Sequence, residues 1–386
     1  MPDVLHSALA FIVVLGVLVF VHEFGHYLAA RFVGVHVEVF SIGFGPAIVT
    51  WRDRVGTVWK LAWLPLGGYV KLHGQERPAV PEPVEPREPG RLARMFGARN
   101  NREAAPVPAQ PVQNNWMPGK VFHEKRVGAR ALVVAAGPIA NFLLAVVLFA
   151  ALFATAGRPV IQPVAGGVLP DSAASRGGLQ VNDRIVAING GPITSFEDIQ
   201  TFITAHPEEK VTVTVKRGDA TLNLPVLTDS RESGGRKVGV LGIRGGDVAY
   251  QHVPLPQALV GGVTQTWQVT SETLVGVAQM ITGQRGTEDL GGPLRIAQLS
   301  GQVAELGLAS LVSFIAVLSV NLGLINLFPI PVLDGGHLLF YLAEAVRGRP
   351  VPPRAQEYGF RAGLALLFGL FMLATWNDLS HLGAFH

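Results

Sequence analysis

Fourteen uncharged residues, Ala8 to Val21, run directly into His22-Glu23-Phe24-Gly25-His26. Such an apolar run folds as a helix whose surface must meet lipid or protein. At 1.5 Å per residue it reaches roughly 21 Å into a hydrocarbon core about 30 Å thick. On that helix His22 and His26 are one turn apart on one face, the spacing at which two imidazoles share a metal ion. Glu23 stands beside them, where a carboxylate can hold a water on the metal and act as general base. Three ionisable groups at such depth are costly, so the stretch reads as a functional site.

The rest of the composition agrees with a membrane setting. Of 386 residues, 49% are hydrophobic and 15% charged, the balance of an integral membrane protein. The net charge is only +3 and no Lys/Arg stripe is interleaved with aromatics, which argues against a nucleic-acid partner. Cysteine is absent, so any metal must be held by His and carboxylate. Asp3 is the only charge before the apolar run. Without the positive n-region of a secretory signal, Val4 to Ala30 reads as a retained span.

Four segments are long and apolar enough to cross a bilayer, at about 5–30, 131–156, 310–333 and 359–376. Basic residues near their ends set the expected orientation. Arg31 follows the first span, and Lys120, Lys125, Arg126 and Arg130 crowd the start of the second. Loop 31–130 carries 15 Lys/Arg against 8 Asp/Glu, whereas 157–310 carries 12 against 14. Loops 31–130 and 334–358 are therefore expected in the cytoplasm, with 157–310 and both termini outside.

Along the chain, 1–75 reads as the first span followed by a glycine-flanked hairpin. Ser41 to Pro46 and Leu66 to Leu72 bracket alternating strands around Ile48, Val49, Val58 and Leu61, a small sheet expected to dip toward the membrane. Residues 76–114, rich in Pro, Glu and Arg, read as a disordered cytoplasmic linker, and 115–157 as the second span. Residues 158–228 read as a compact α+β domain. Gly166-Gly167-Val168 opens a strand, Pro170 to Ala174 starts a short helix, Asp183 to Gly190 is a strand and turn, and Ser195 caps a helix through His206. Val211 to Val215 then turns at Gly218-Asp219 into Thr221 to Val226. This order resembles a PDZ domain of the bacterial protease type. The resemblance implies a peptide groove between the strand at Val168 and the helix 195–206, with Gly166 and Gly167 offering N–H groups to a carboxylate. Residues 229–307 read as a strand and interfacial helices, and 308–386 as the last two spans.

Two histidines leave a catalytic zinc one protein ligand short, and His, Asp or Glu completes such a set. Asp334 is delivered at the cytoplasmic end of the third span, after Pro329 and Pro331 break the helix. That depth matches His22 and His26. Glu344 and Asp378 are poorer by position, and His337 reads as an exposed loop histidine.

His22-Glu23-x-x-His26, the Asn326-x-x-Pro329-x-Pro331-x-Leu333-Asp334-Gly335 run and the PDZ-like segment between them resemble the site-2 protease family of intramembrane zinc metalloproteases, in its bacterial regulator-of-sigma-E form. Gly43-Phe44-Gly45-Pro46, Gly67-Gly68-Tyr69-Val70-Lys71 and Ala136 to Phe142 extend the likeness. A single PDZ-like domain is read here, where the best-known Gram-negative members carry two. The resemblance implies a polytopic α-helical protein of about four transmembrane helices in the bacterial inner membrane. It also implies Zn2+ on His22, His26 and Asp334, a zinc-held water as nucleophile and Glu23 as general base. The implied substrates are transmembrane proteins after a first extracytoplasmic cut, such as anti-sigma factors or signal-peptide remnants. Gly67, Gly68, Tyr69 and Val70 would receive the unwound substrate as a strand, Asn326 would bond its backbone, and Gly166, Gly167 and Val168 would hold its tail. A PDZ-containing membrane scaffold and a metal transporter are the rivals; neither accounts for Glu23 beside the metal.

Overall fold

The computed structural model of the chain describes residues 4–75, 121–233, 236–284, 286 and 291–381; the linker expected at 76–114 lies outside them. The chain forms two compact units, Met1–Leu148 with Thr264–His386, and Phe149–Val263. In chain order it runs through α1 (Val4–Phe32), β1 (Val37–Arg52), β2 (Val58–Leu72) and α2 (Val127–Thr155). Next come β3 (Arg158–Ile161), β4 (Gly167–Val168), α3 (Ala173–Arg176), β5 (Arg184–Ile188), β6 (Gly191–Pro192) and α4 (Phe196–Ala205). There follow β7 (Lys210–Arg217), β8 (Ala220–Leu227), β9 (Asp229–Ser233), β10 (Arg236–Val240), β11 (Ile243–Arg244) and β12 (Val248–Gln251). The remaining helices are α5 (Leu255–Ile281), α6 (Pro293–Glu305), α7 (Leu308–Leu327), α8 (Asp334–Arg347) and α9 (Pro353–His381).

Among the described residues four helices, α1, α2, α7 and α9, are long and apolar enough to cross a membrane. The third span is shorter than the expected 310–333. Helix α7 stops at Leu327, with Phe328 already extended (φ −64°, ψ 144°). Pro329 and Pro331 cannot donate to a continuing ladder. A new helix starts at Asp334, so Asp334 opens α8 and does not end the span. Gly335 and Gly336 allow this tight restart. A Cβ on either would stand 2.3 Å from a carbonyl oxygen of the preceding turn, Leu327 and Phe328 for Gly335 and Ile330 for Gly336.

In the first unit Val14 and Leu18 of α1 and Ile315 of α7 form a buried cluster with Leu144 and Leu148 of α2 packed against it. Helices α1 and α2 also touch where Gly25 faces Ala136, a Cβ on Gly25 falling 2.3 Å from the Ala136 carbonyl oxygen. Strands β1 and β2 pair antiparallel, with several register shifts. Along Val39 to Ile42 the partners fall from Lys71 to Gly68 on one flank, in the antiparallel sense, while on the other they rise from Val58 to Leu61, running the same way as β1. The start of β1 is thus flanked by both halves of β2, leaving Gly68 to Leu72 at an edge. Phe44, Ile48, Val49, Trp51, Trp63 and Leu64 are exposed on this sheet.

In the second unit the sheet order is β6-β5-β7-β8. Val211, Val213 and Val215 alternate inward onto Ile185, Ile188, Ile199 and Ile203, the period-2 burial of a one-sided sheet. Ser195 caps α4 in a reciprocal capping box with Asp198. Buried Asp183 takes two hydrogen bonds from Arg217, from Nε and Nη2, both at 2.7 Å. Those bonds hold its carboxyl below the ordinary range against the opposing effect of burial. The unit does not end at 228. Strand β4 finds its partner in β11, with Ile243 opposite Val168 and Arg244 opposite Gly167, and β3 pairs with β12.

Candidate metal centre

Three side chains converge where α1 meets α8. His22 Nε2 lies 3.3 Å from His26 Nε2 and 3.2 Å from Asp334 Oδ2, which lies 3.4 Å from His26 Nε2. The histidines share a face because they are one turn apart on α1, and Asp334 arrives through the glycine-permitted restart of α8. Among the described residues this is the group of His, Asp or Glu donors close enough to hold one metal ion.

The triangle fits a tetrahedral ion. Bonds of about 2.0–2.1 Å, as zinc makes to nitrogen and carboxylate oxygen, separate tetrahedral ligands by about 3.3–3.4 Å. The donor chemistry points the same way. His26 Nδ1 donates to the Val133 carbonyl 2.8 Å away, and a carbonyl can only accept. A neutral His26 therefore presents a lone pair at Nε2 to the Asp334 oxygen. Asp334 Oδ2 is buried and without a hydrogen-bond partner, so the acceptors converge on a place that calls for a positive charge.

Helix α2 forms the wall behind the histidines. Besides Val133 it supplies Asn141, wholly buried, whose amide lies 3.2 Å from His22 Nδ1. Between them a Cβ on Gly137 would stand 2.3 Å from His26 Nε2; only glycine lets α2 pass this close. Val133, Gly137 and Asn141 are spaced by four, so they share one face.

The group opens on a cavity of about 560 Å³ also lined by Glu23, Gly68, Tyr69, Val70 and Asn326. A Cβ on Gly68 would meet Glu23 Cγ at 2.9 Å, so the strand edge runs beside the Glu23 side chain. Gly67 has φ +100° and packs under Phe44. Asn326 donates to the Leu322 carbonyl at 3.0 Å.

Other expected residues fall elsewhere. His337 is not on an exposed loop; it sits on α8 one turn after Asp334, half-buried and lining the cavity. Glu344 accepts from Arg130 Nη2 at 2.6 Å, and that guanidinium lies over the Tyr341 ring. Asp378 accepts from the N–H groups of Gly292, Leu294 and Arg295 at the start of α6. In the second unit the Gly166 N–H already donates to the Arg244 carbonyl at 3.0 Å, so it is not available to a peptide carboxylate. Nor is the space beside α4 left open along Val168. Gly239 meets the Ile203 and His206 backbone, and Gly245 meets Phe196, so the 239–245 segment runs along that helix.

The family model of peptidase family M50 matches residues 10–370. A protein of Rhizobium meliloti with a provisional zinc metalloprotease name is 41% identical, covering 96% of each chain. Zinc metalloprotease RasP of Geobacillus kaustophilus is 34% identical over 98% of this chain and 99% of its own. Metalloprotease MmpA of Caulobacter vibrioides is 34% identical over 96% and 95%.

Proposed function

Since the chain belongs to peptidase family M50 and is a zinc metalloprotease, we propose that it cuts peptide bonds within the transmembrane segments of proteins already trimmed by a first extracytoplasmic cut. The observation that carries this reading is the His22–His26–Asp334 triangle, set on α1, a helix apolar enough to cross a bilayer, and on the first residue of α8, which follows the apolar α7. His22, His26 and Asp334 would hold the zinc, which would supply a polarised scissile carbonyl and a water whose lowered pKa makes hydroxide available near neutral pH.

The remaining work falls to the chain's own groups. Glu23 takes the proton from the attacking water and passes it to the departing amine. A helical substrate must unwind first, because its carbonyls are already bonded within the helix. The Gly68–Val70 edge receives the unwound stretch as an added strand, and Asn326 turns its amide from Leu322 to the substrate backbone. The exposed apolar residues of the β1–β2 sheet support contact with the lipid. The second unit, read as PDZ-like from its capped helix and strand order, favours trimmed substrates over those with bulky outer domains. The basic residues around the spans support an inner-membrane orientation with this unit and both termini outside. A scaffold with a structural zinc is disfavoured, since structural sites close with four protein ligands and three donors gather among the described residues.

The test measures zinc content and cleavage of a transmembrane model substrate by the reconstituted full-length protein. Glu23→Gln is expected to keep its zinc and lose cleavage. Cleavage by Glu23→Gln near the wild-type rate refutes the mechanism.

A further inference from the structure

We propose that Asn141 is a positioning residue for the metal centre: its side-chain oxygen accepts the Nδ1 proton of His22 and so keeps the Nε2 lone pair turned to the metal. The inference rests on the metalloprotease reading above. Asn141 is fully buried in the middle of α2, and a carboxamide is expensive there unless it is bonded. Its backbone carbonyl accepts from Ser319 Oγ at 2.8 Å, which ties α7 to the same turn.

The side chain faces His22 with Nδ2, 3.2 Å from Nδ1, while Oδ1 is buried with no hydrogen-bond partner among the described residues. With Nδ2 donating, Nδ1 must be the acceptor, and the one proton of a neutral ring sits on Nε2. Nε2 is the atom that faces His26 Nε2 and Asp334 Oδ2, and a protonated nitrogen cannot bind a metal. The two ends of a carboxamide differ by a half-turn about its last bond. After that half-turn Oδ1 gains its donor, Nδ1–H, and Nε2 is free to coordinate. The amino group moves to where Oδ1 stood, and the metal's need for Nε2 decides between the two orientations.

His26 supplies the precedent within the same site. Its Nδ1 donates to the Val133 carbonyl, an acceptor on the same face of α2 two turns away. His22 and His26, four residues apart on α1, are thus each matched to an acceptor on α2, with Asn141 standing in for a backbone oxygen. Acceptors of this kind set the tautomer and ring orientation of metal-binding histidines.

The experiment measures zinc affinity of the purified full-length protein by competition with a chromophoric chelator. Asn141→Leu, which keeps the volume and removes the acceptor, should weaken zinc roughly 10- to 100-fold. Asn141→Asp keeps an acceptor and should stay within a few-fold of wild type. Should the Leu variant not fold, Asn141→Ala removes the same acceptor without adding bulk and carries the same expectation. Leu and Ala variants binding zinc as tightly as wild type would overturn the proposal, as would an Asp variant as weak as either. A wild-type protein that binds no zinc overturns the metal reading itself, a failure distinct from the loss of Asn141's role.

Discussion

Gly137 lies against His26 so closely that a methyl group on its Cα would stand 2.3 Å from the ring's Nε2. Gly137→Ala must therefore push either the ring or α2 away. Zinc binding and cleavage are expected to fall at least tenfold, while the helix content stays unchanged. Gly16→Ala is the control: nothing lies within 4 Å of a Cβ there, so the change should alter stability by about 1 kcal/mol or less. Chelator competition on both variants decides, and equal zinc affinity in the two would remove the steric argument.

Asp334 is the proposed ligand furthest from the histidines in sequence and the easiest to isolate. Asp334→Ala should lose bound zinc and activity together, as should His22→Ala and His26→Ala, whereas Glu23→Gln loses activity alone. Metal content is read by mass spectrometry of the purified proteins. Full occupancy in Asp334→Ala would take it out of the ligand set.

Arg130 and Glu344 pair within the wall of the cavity, with 12% and 15% of their side chains exposed. Removing one partner strands the other charge. Glu344→Ala should cost about 3 kcal/mol, read as a fall in thermal midpoint in detergent. Combining Arg130→Met with Glu344→Leu should recover part of that loss, because no charge is then left unpaired. A double variant no better than the single one would show that the packing matters and the charge does not.

The Asp183–Arg217 pair gives the second unit a pH dependence of known sign. Arg217 holds the Asp183 carboxyl below the ordinary range, so its folded pKa is lower than the unfolded value of about 3.9. Its contribution is fully present above that value and is lost as pH falls through the folded pKa. Hydrogen exchange of β7 and β8, corrected for intrinsic rates, should quicken as pH drops below about 4. Asp183→Asn should flatten that response and speed exchange at neutral pH.

The proposed orientation can be read from single cysteines, since the chain has none of its own. Asp219→Cys, in the β7–β8 turn, should react with an impermeant thiol reagent on intact cells. Pro350→Cys, between α8 and α9, should react only after the cells are opened. The reverse pattern would invert the topology.

Much of the candidate metal centre is legible in the sequence because its parts are periodic or punctuated. The i, i+4 histidines need only a helix, and the apolar run guarantees one. The prolines announced a break near the end of the third span, though not that α7 stops before them at Leu327, and the serine box announced the start of α4. What could not be read came from distant pairing. A lone Asn141 in an apolar span shows polarity without a partner, and Val133 acts through a backbone oxygen that no side chain advertises. His337 reads from the sequence as an exposed loop histidine, yet Gly335 and Gly336 let the helix resume at once. Strand β4 is two residues long, and the segment that completes it lies past the turn where the domain was expected to stop.

Asp378 ties two distant helices together. Its carboxylate takes the N–H groups of Gly292, Leu294 and Arg295, the first of these 86 residues earlier in the chain. Helix α6 has no side-chain cap of its own, and the first N–H groups of any helix lack partners within it. The protein partner for those donors is therefore a side chain of α9. Helix α6, which packs on α1 where Gly301 meets Ser7, is thus also tied at its start to α9, and Asp378→Ala should loosen both contacts at once.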